Sequence, residues 1–94
     1  MAWTVVLENE EKSALSIISG DLSIYLGNDL NRFKLLKYLD PYGDTIFNQL
    51  QMDDLIQDIQ YLVKTEQNSL LNEVLLLAER CKSEPHTYLS FYGD

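Results

Sequence analysis

The clearest hydrophobic pattern in the chain is a stripe of apolar residues between positions 52 and 63. They recur at intervals of three and four, which places them on one face of an amphipathic helix: Met52, Leu55, Ile56, Ile59, Leu62 and Val63. Asp53 and Asp54 lie in the first turn and Lys64 in the last, as the helix dipole favours. The pattern predicts a helix that begins near Met52.

A second amphipathic pattern runs from about Ser69 to Lys82. Its apolar face is wide, and we assign Leu76 to it together with Leu70, Leu71, Val74, Leu75, Leu77, Ala78 and Cys81. Because the polar connection over residues 65–68 is short, the two helices should form an antiparallel pair. Cys81 is the only cysteine, and we interpret it as a core residue rather than a nucleophile, since free cysteine is usually buried.

Both ends of the chain carry patterns typical of strands. Residues 3–7 are aromatic and β-branched, and residues 14–19 partly alternate, so they predict a hairpin around a polar loop at 9–12. Residues 86–92 place Thr87, Leu89 and Phe91 on one face and His86, Tyr88, Ser90 and Tyr92 on the other. This C-terminal strand should join the hairpin. Residues 22–26 fit either a third short strand or one turn of helix.

The middle of the chain is less regular. Residues 30–39 predict a helix that buries Phe33, Leu36 and Leu39, and the turn Asp40-Pro41-Tyr42-Gly43 ends it. We interpret residues 44–51 as an irregular segment with Ile46, Phe47 and Leu50 pointing inward. The predicted fold is a single α+β domain over residues 1–94, with an antiparallel sheet of three to four strands and about three helices on one face.

Composition narrows the possible functions. The 94 residues include 15 acidic and 7 basic side chains, giving a net charge of −8. Nucleic acids and anionic membranes need a basic patch, and the scattered cations do not provide one, so the charge favours a basic protein partner. A single cysteine and an N-terminus without a basic leader or a membrane-spanning apolar run predict a cytoplasmic protein. No motif for a phosphate, a metal or another cofactor occurs, so we expect none.

Three side chains offer candidate chemistry. Asp40 and Asp44 flank the predicted turn, and His86 is the only histidine. Together they suggest a metal-dependent or hydrolytic site, although Asp40 and Asp44 also suit turns and His86 also suits a strand start. The tyrosines form either an exposed interface or part of the core. We hypothesise that the following residues lie near one another: Asp40, Tyr42, Asp44, His86, Tyr88 and Asp94.

Two stretches carry a resemblance to other proteins. They are LDPYGDTIFN at residues 39–48 followed by LQ at 50–51, and LAERC at 77–81 followed by EPHTYL at 84–89 and FYGD at 91–94. These stretches resemble a group of small bacterial single-domain proteins that have no established activity. The resemblance implies a bacterial protein of the kind found beside toxin or secretion genes, and it transfers no catalytic residue.

We therefore expect a non-enzymatic, acidic protein-binding module, most specifically an immunity-type inhibitor of a basic toxin or nuclease domain. Asp53, Asp54 and Asp58 would stand in for the phosphates that a nuclease expects, and tyrosines such as Tyr92 would anchor the contact. Two alternatives remain. One is a small enzyme that uses Asp40, Asp44 and His86, and the other is a structural homodimer.

Overall fold

The protein is described by a computed structural model that covers residues 3–20, 33–39, 43–66 and 68–93. Its sheet contains four antiparallel strands: β1 (Trp3–Asn9), β2 (Ala14–Gly20), β3 (Asp44–Asn48) and β4 (Thr87–Gly93). Their spatial order is β2-β1-β4-β3, so the C-terminal strand lies beside the N-terminal strand at the centre. The predicted hairpin and the predicted C-terminal strand are both confirmed.

Asn9 shapes the hairpin loop between β1 and β2. Its side-chain Oδ1 accepts hydrogen bonds from the backbone N–H groups of Glu11 and Ser13, at 2.9 and 3.0 Å. Lys12 adopts a positive φ of 63°, a conformation that a tight connection requires and that few residues other than glycine adopt. The polar loop thus satisfies its own backbone groups and returns the chain along β1.

The prediction for residues 44–51 was wrong, because Asp44–Asn48 forms strand β3 and Gln49–Gln51 forms a 3-10 helix. Side chains alternate along a strand, so Phe47 is buried while Ile46 faces the other way and is 44% exposed. Leu50 is 91% exposed, contrary to its predicted inward position. Asn48 and Gln51 stabilise the 3-10 helix through a reciprocal capping box.

The two strongest helical patterns are confirmed as α1 (Met52–Glu66) and α2 (Ser69–Ser83). Four members of the α1 stripe are buried (Met52, Leu55, Ile59 and Leu62), and the other two, Ile56 and Val63, pack partly buried against the core. Asn68 caps α2, since its side chain accepts a hydrogen bond from Leu70 N at 2.8 Å. Leu76 is 65% exposed, so its assignment to the buried face was wrong. The apolar face of α2 is wider than the part of this helix that the sheet and α1 cover.

The third predicted helix is not an α-helix in the described part of the chain. Residues 30–32 lie outside that part, and residues 33–39 contain a 3-10 helix, Leu36–Tyr38. The backbone N–H groups of Lys34, Leu35 and Leu36 donate to the carboxylate of Asp58 on α1, at 3.0, 2.7 and 3.2 Å. Since an α-helix would use these amides internally, the tertiary contact replaces the predicted local structure. Phe33, Leu36 and Leu39 are nevertheless buried as predicted.

One buried cluster joins the sheet to the helices. It contains Trp3, Val5 and Leu7 of β1, Leu89 and Phe91 of β4, and the inward residues of α1 and α2. The rings of Phe47 and Phe91 meet edge to face, with centroids 5.8 Å apart. At the end of β2, Gly20 allows α2 to approach closely, because a Cβ there would lie 2.5 Å from Cδ2 of Leu70.

Candidate functional site

The sheet has a second face on which neither α1 nor α2 packs. Alternation along each strand places the core residues on one side and a mixed set on the other. We call this set the open face: Thr4, Val6, Glu8, Ile17, Ser19, Asp44, Ile46, Asn48, Tyr88, Ser90 and Tyr92. Strand register confirms the grouping, because these residues pair only with one another or with Ala14.

A row of three aliphatic residues and one serine crosses the middle of the open face. Ile17 pairs with Val6, Val6 with Ser90, and Ser90 with Ile46. Three strand spacings of about 4.8 Å make this row about 14 Å wide. Its two ends are exposed, Ile17 by 62% and Ile46 by 44%, whereas Val6 and Ser90 between them are buried. The row therefore presents two large aliphatic side chains to solvent at opposite edges of the sheet.

A carboxylate lies buried at the centre of the same face. Glu8 is only 6% exposed, and its Oε1 accepts hydrogen bonds from Ser90 Oγ and from the Tyr92 hydroxyl, the latter at 2.7 Å. The hydrogen bond to Glu8, with burial as the second cause, raises the pKa of the Tyr92 phenol above its usual value. Glu8 is thus held by two neutral hydroxyls, and Tyr92 keeps its proton.

A cleft opens beside this carboxylate. Its volume is about 240 Å³, and it is lined by Glu8, Asn9, Glu10, Lys12, Ile46 and Tyr88. The register of β1 against β2 shifts between Leu7 and Glu8, and such a bulge redirects the neighbouring side chains. The cleft combines two carboxylates, one ammonium group, one aromatic ring and one aliphatic side chain.

Three of the predicted interface residues belong to the open face: Asp44, Tyr88 and Tyr92. Asp44 pairs with Tyr92 at one end of β4, and Tyr88 pairs with Asn48 near the other end. Both tyrosines are half-buried. Asp40, Tyr42 and Asp94 lie outside the described residues, as does the segment at 22–26.

The predicted acidic surface on α1 is largely occupied by contacts within the fold. Asp58 is buried and accepts the backbone N–H groups of residues 34–36, so its prediction as a surface carboxylate is corrected. Asp53 forms an ion pair with Lys82 at 2.7 Å, and Asp54 forms one with Lys34 at 3.6 Å. These two carboxylates are exposed, but each has a cation beside it.

His86 lies apart from Asp44. It precedes β4, adopts a positive φ of 62° and contacts Glu10, with 2.6 Å between Nδ1 and Oε1. Asp44 pairs with Tyr92, which lies five residues along β4 from its first residue, Thr87, and this corresponds to about 17 Å at about 3.3 Å per residue. Asp44 and His86 therefore do not converge on one substrate atom, and the predicted grouping that included both is corrected.

Sequence reasoning missed Glu8, Ile17 and Ile46 as members of a site. Glu8 is the only charged residue in β1, which is an unusual position for a carboxylate in a central strand. The position of Glu8 in the strand could be noticed in the sequence, but its role could not be inferred. Only the pairing of β1 with β4 brings Ser90 and Tyr92 close to Glu8. Ile17 and Ile46 read as ordinary strand residues until the location of the helices is known.

Comparison with known proteins adds no relative: no protein-family model, curated protein or solved structure matches this chain. Among the described residues, neither helix is long and apolar enough to cross a membrane. The same residues contain no group of three or more His, Cys, Asp or Glu side chains placed to hold a metal ion. The geometry of the open face is therefore the basis for the functional assignment.

Proposed function

We propose that this chain is a non-enzymatic, acidic protein-binding module that docks a basic protein partner on the open face. The observation that carries the proposal is the exposure of Ile17 and Ile46 around a central carboxylate and two half-buried tyrosines. The two isoleucines lie about 14 Å apart across the sheet, and a single partner surface can contact both of them together with the tyrosines between and beside them.

The composition of the open face resembles the centre of a protein interface. Tyrosine is enriched at such interfaces and at their energetically dominant positions, and aliphatic side chains fill the space around it. Tyr88 and Tyr92 are already half-buried, and the Tyr92 hydroxyl is held by its hydrogen bond to Glu8. A partner that covers these side chains therefore restricts little additional motion. This preorganisation lowers the entropic cost of binding.

Charge indicates the kind of partner. The chain carries a net charge of −8, which accelerates the encounter with a basic protein at low salt. Glu8 and Asp44 are the carboxylates on the open face itself. The finer proposal is an immunity-type inhibitor, in which exposed carboxylates such as Asp44 face the cationic site of a basic toxin or nuclease domain and exclude its substrate.

The test compares two double variants in a pull-down from the source organism, analysed by mass spectrometry and repeated at high salt. Ile17→Thr/Ile46→Thr removes the exposed aliphatic pair while keeping β-branched residues in the strands. Leu50→Gln/Leu76→Gln removes a more exposed aliphatic pair outside the open face and is the control. We expect the first variant to lose a basic partner that the wild type and the control retain at low salt. Equal retention by both variants would contradict the proposal.

A homodimeric structural protein is a second candidate, and strand β2 favours it. This strand, ALSIISG, contains no charged residue and no proline, and it is an edge of the described sheet. Edge strands of this composition pair readily with another chain. Sedimentation of the purified protein distinguishes the candidates: a stable dimer that Ile17→Lys converts to a monomer would favour the homodimer, and a monomer in both cases would exclude it.

A further inference from the structure

Glu10 and His86 face each other at the end of the central strand pair. The last paired residues of β1 and β4 at this end are Asn9 and Thr87, and continuing the antiparallel register by one position brings Glu10 opposite His86. Nδ1 of His86 lies 2.6 Å from Oε1 of Glu10, as close as a charged nitrogen approaches a carboxylate. A side-chain contact thus continues the ladder where the backbone pairing ends.

The backbone of His86 adopts a conformation that histidine seldom takes. Its φ is 62°, in the left-handed region that glycine enters freely and most other residues avoid. Pro85 and His86 form the turn between α2 and β4, and a turn with proline followed by a positive φ favours glycine at the second position. The contact with Glu10 is an interaction that glycine cannot make, so it supplies a reason for histidine here.

We propose that His86 and Glu10 form a pH-sensitive clasp, which fixes the hairpin loop (residues 10–13) against the turn before β4 when the imidazole ring is protonated. Histidine is the side chain that ordinarily gains or loses its charge between pH 5 and 8. As the pH falls through that range, the ring becomes a cation and its attraction to the carboxylate increases. As the pH rises, the charge is lost and the loop is held less firmly.

Two further carboxylates lie near the ring. Glu11 and Glu84 line a cleft of about 310 Å³ together with Glu10 and His86, so each adds to the attraction on a protonated ring. Glu84 is also paired with Arg80 of α2, which offsets part of its charge. Glu10 contributes most, because it contacts the ring directly and Coulomb attraction falls with distance.

Lys12 and Tyr88 are other titratable groups near the contact. Both line the cleft of about 240 Å³ with Glu10, and Tyr88 also lines a cleft with His86. The Lys12 ammonium group repels a protonated ring and competes with it for Glu10. Lysine and tyrosine do not ordinarily change charge between pH 5 and 8, so the pH dependence in this range comes from His86.

Solvent-exchange NMR of the full chain measures the clasp. The backbone N–H of Lys12 donates to the Asn9 carbonyl at 3.0 Å across the loop, so its protection from exchange, corrected for the intrinsic effect of pH, reports how firmly the loop is held. Protection should be about two- to fivefold greater at about pH 5.5 than at about pH 8, because an exposed ion pair contributes modestly. Equal protection at both pH values would overturn the proposal.

Three variants assign the effect to the two side chains. His86→Lys carries a charge at both pH values, and Lys12 shows that lysine adopts a positive φ in this chain, so protection should stay high and no longer change with pH. Glu10→Gln removes the carboxylate, so protection should be low at both pH values. Glu11→Gln is the matched control from the same loop and should retain the pH dependence. A pH dependence that persists in Glu10→Gln would contradict the clasp.

The clasp reaches the open face through the hairpin loop, since Glu10 lines the same cleft as Ile46 and Tyr88. A loop that is fixed before binding loses less freedom when a partner covers it. This consequence rests on the proposed function, and it predicts that Glu10→Gln retains less of the basic partner than the wild type at about pH 5.5. Equal retention with pH-dependent loop protection would leave the clasp standing and overturn its link to partner binding. If loop protection does not depend on pH but capture still depends on Ile17 and Ile46, the clasp is wrong and the open face remains the docking surface.

Discussion

The two faces of the sheet are formed by the same four strands but differ in which side chains they bury. On the core face, Leu7, Leu89 and Phe91 are fully buried beneath the helices. On the open face, the largest aliphatic side chains, Ile17 and Ile46, are exposed, whereas the carboxylate of Glu8 and the hydroxyl of Ser90 are buried. The core face buries its large apolar side chains, whereas the open face buries Val6 but exposes both of its isoleucines.

The burial of Glu8 and the exposure of Ile17 and Ile46 distinguish the open face from a face that serves only to stabilise the fold. Burying apolar area stabilises a fold by about 25 cal/mol per Å², whereas burying a charged group costs free energy that its hydrogen bonds must offset. A face that exposes isoleucine and buries glutamate therefore gains less stability than the core face does. Its arrangement supports the proposal that a partner docks on this face.

The comparison predicts its largest effect for a matched pair of alanine substitutions on β4 and β3. Leu89→Ala should lower the free energy of unfolding by about 2–5 kcal/mol, because it leaves a cavity under the helices. Ile46→Ala should change it by less than about 1 kcal/mol, since the side chain is already partly hydrated. Urea unfolding followed by circular dichroism measures both, and similar losses would mean that the two faces do not differ.

A smaller effect is expected for the carboxylate that fixes residues 34–36. Asp58→Ala removes the acceptor of three backbone N–H groups and should cost about 2–3 kcal/mol. Asp53→Ala removes an exposed ion pair with Lys82 and should cost less than about 1 kcal/mol. The same urea titration compares them. An equal cost would show that Asp58 is as dispensable to the fold as a surface carboxylate.

The smallest effect concerns the hydroxyl pair on the open face. Tyr92→Phe removes the hydrogen bond to Glu8 and should cost about 1–2 kcal/mol at neutral pH. Because the pKa of Tyr92 is raised in the folded state, the folded chain holds the phenol proton at pH values where the unfolded chain releases it. Stability should therefore fall as pH rises above about 10, the pKa of an unperturbed tyrosine.

The control for this pH dependence is the same variant. Tyr92→Phe lacks the phenol proton, so its free energy of unfolding should fall less steeply than that of the wild type above about pH 10. The other tyrosines are common to both proteins and cancel in the difference. Parallel curves would show that the hydrogen bond to Glu8 does not raise the pKa of Tyr92.

The parts of the fold that sequence predicted well are those with long periodic patterns. Repeated spacing of three and four predicts α1, aromatic and β-branched residues predict β1, and alternation predicts β4. The five residues of β3 are too few to give a recognisable pattern. The α-helix expected over 30–39 is absent from residues 33–39, where the backbone N–H groups of residues 34–36 donate to Asp58 instead. Both failures come from long-range contacts, which no local pattern contains.

The candidate site was only partly predictable for the same reason. Tyrosine content and acidity pointed to an interface, and Asp44, Tyr88 and Tyr92 do lie on the open face. Glu8 gains its partners Ser90 and Tyr92 through contacts across more than eighty residues of sequence. The face that carries Ile17 and Ile46 can be recognised only once the side covered by the helices is known.

Hydroxyl-radical footprinting of the chain, alone and with its captured partner, tests most directly whether the open face is the docking surface. Oxidation of Ile17, Ile46, Tyr88 and Tyr92 should fall in the complex, while oxidation of Leu50 and Leu76 should stay unchanged. Protection of Leu50 and Leu76 with continued oxidation of Ile17 and Ile46 would contradict the assignment.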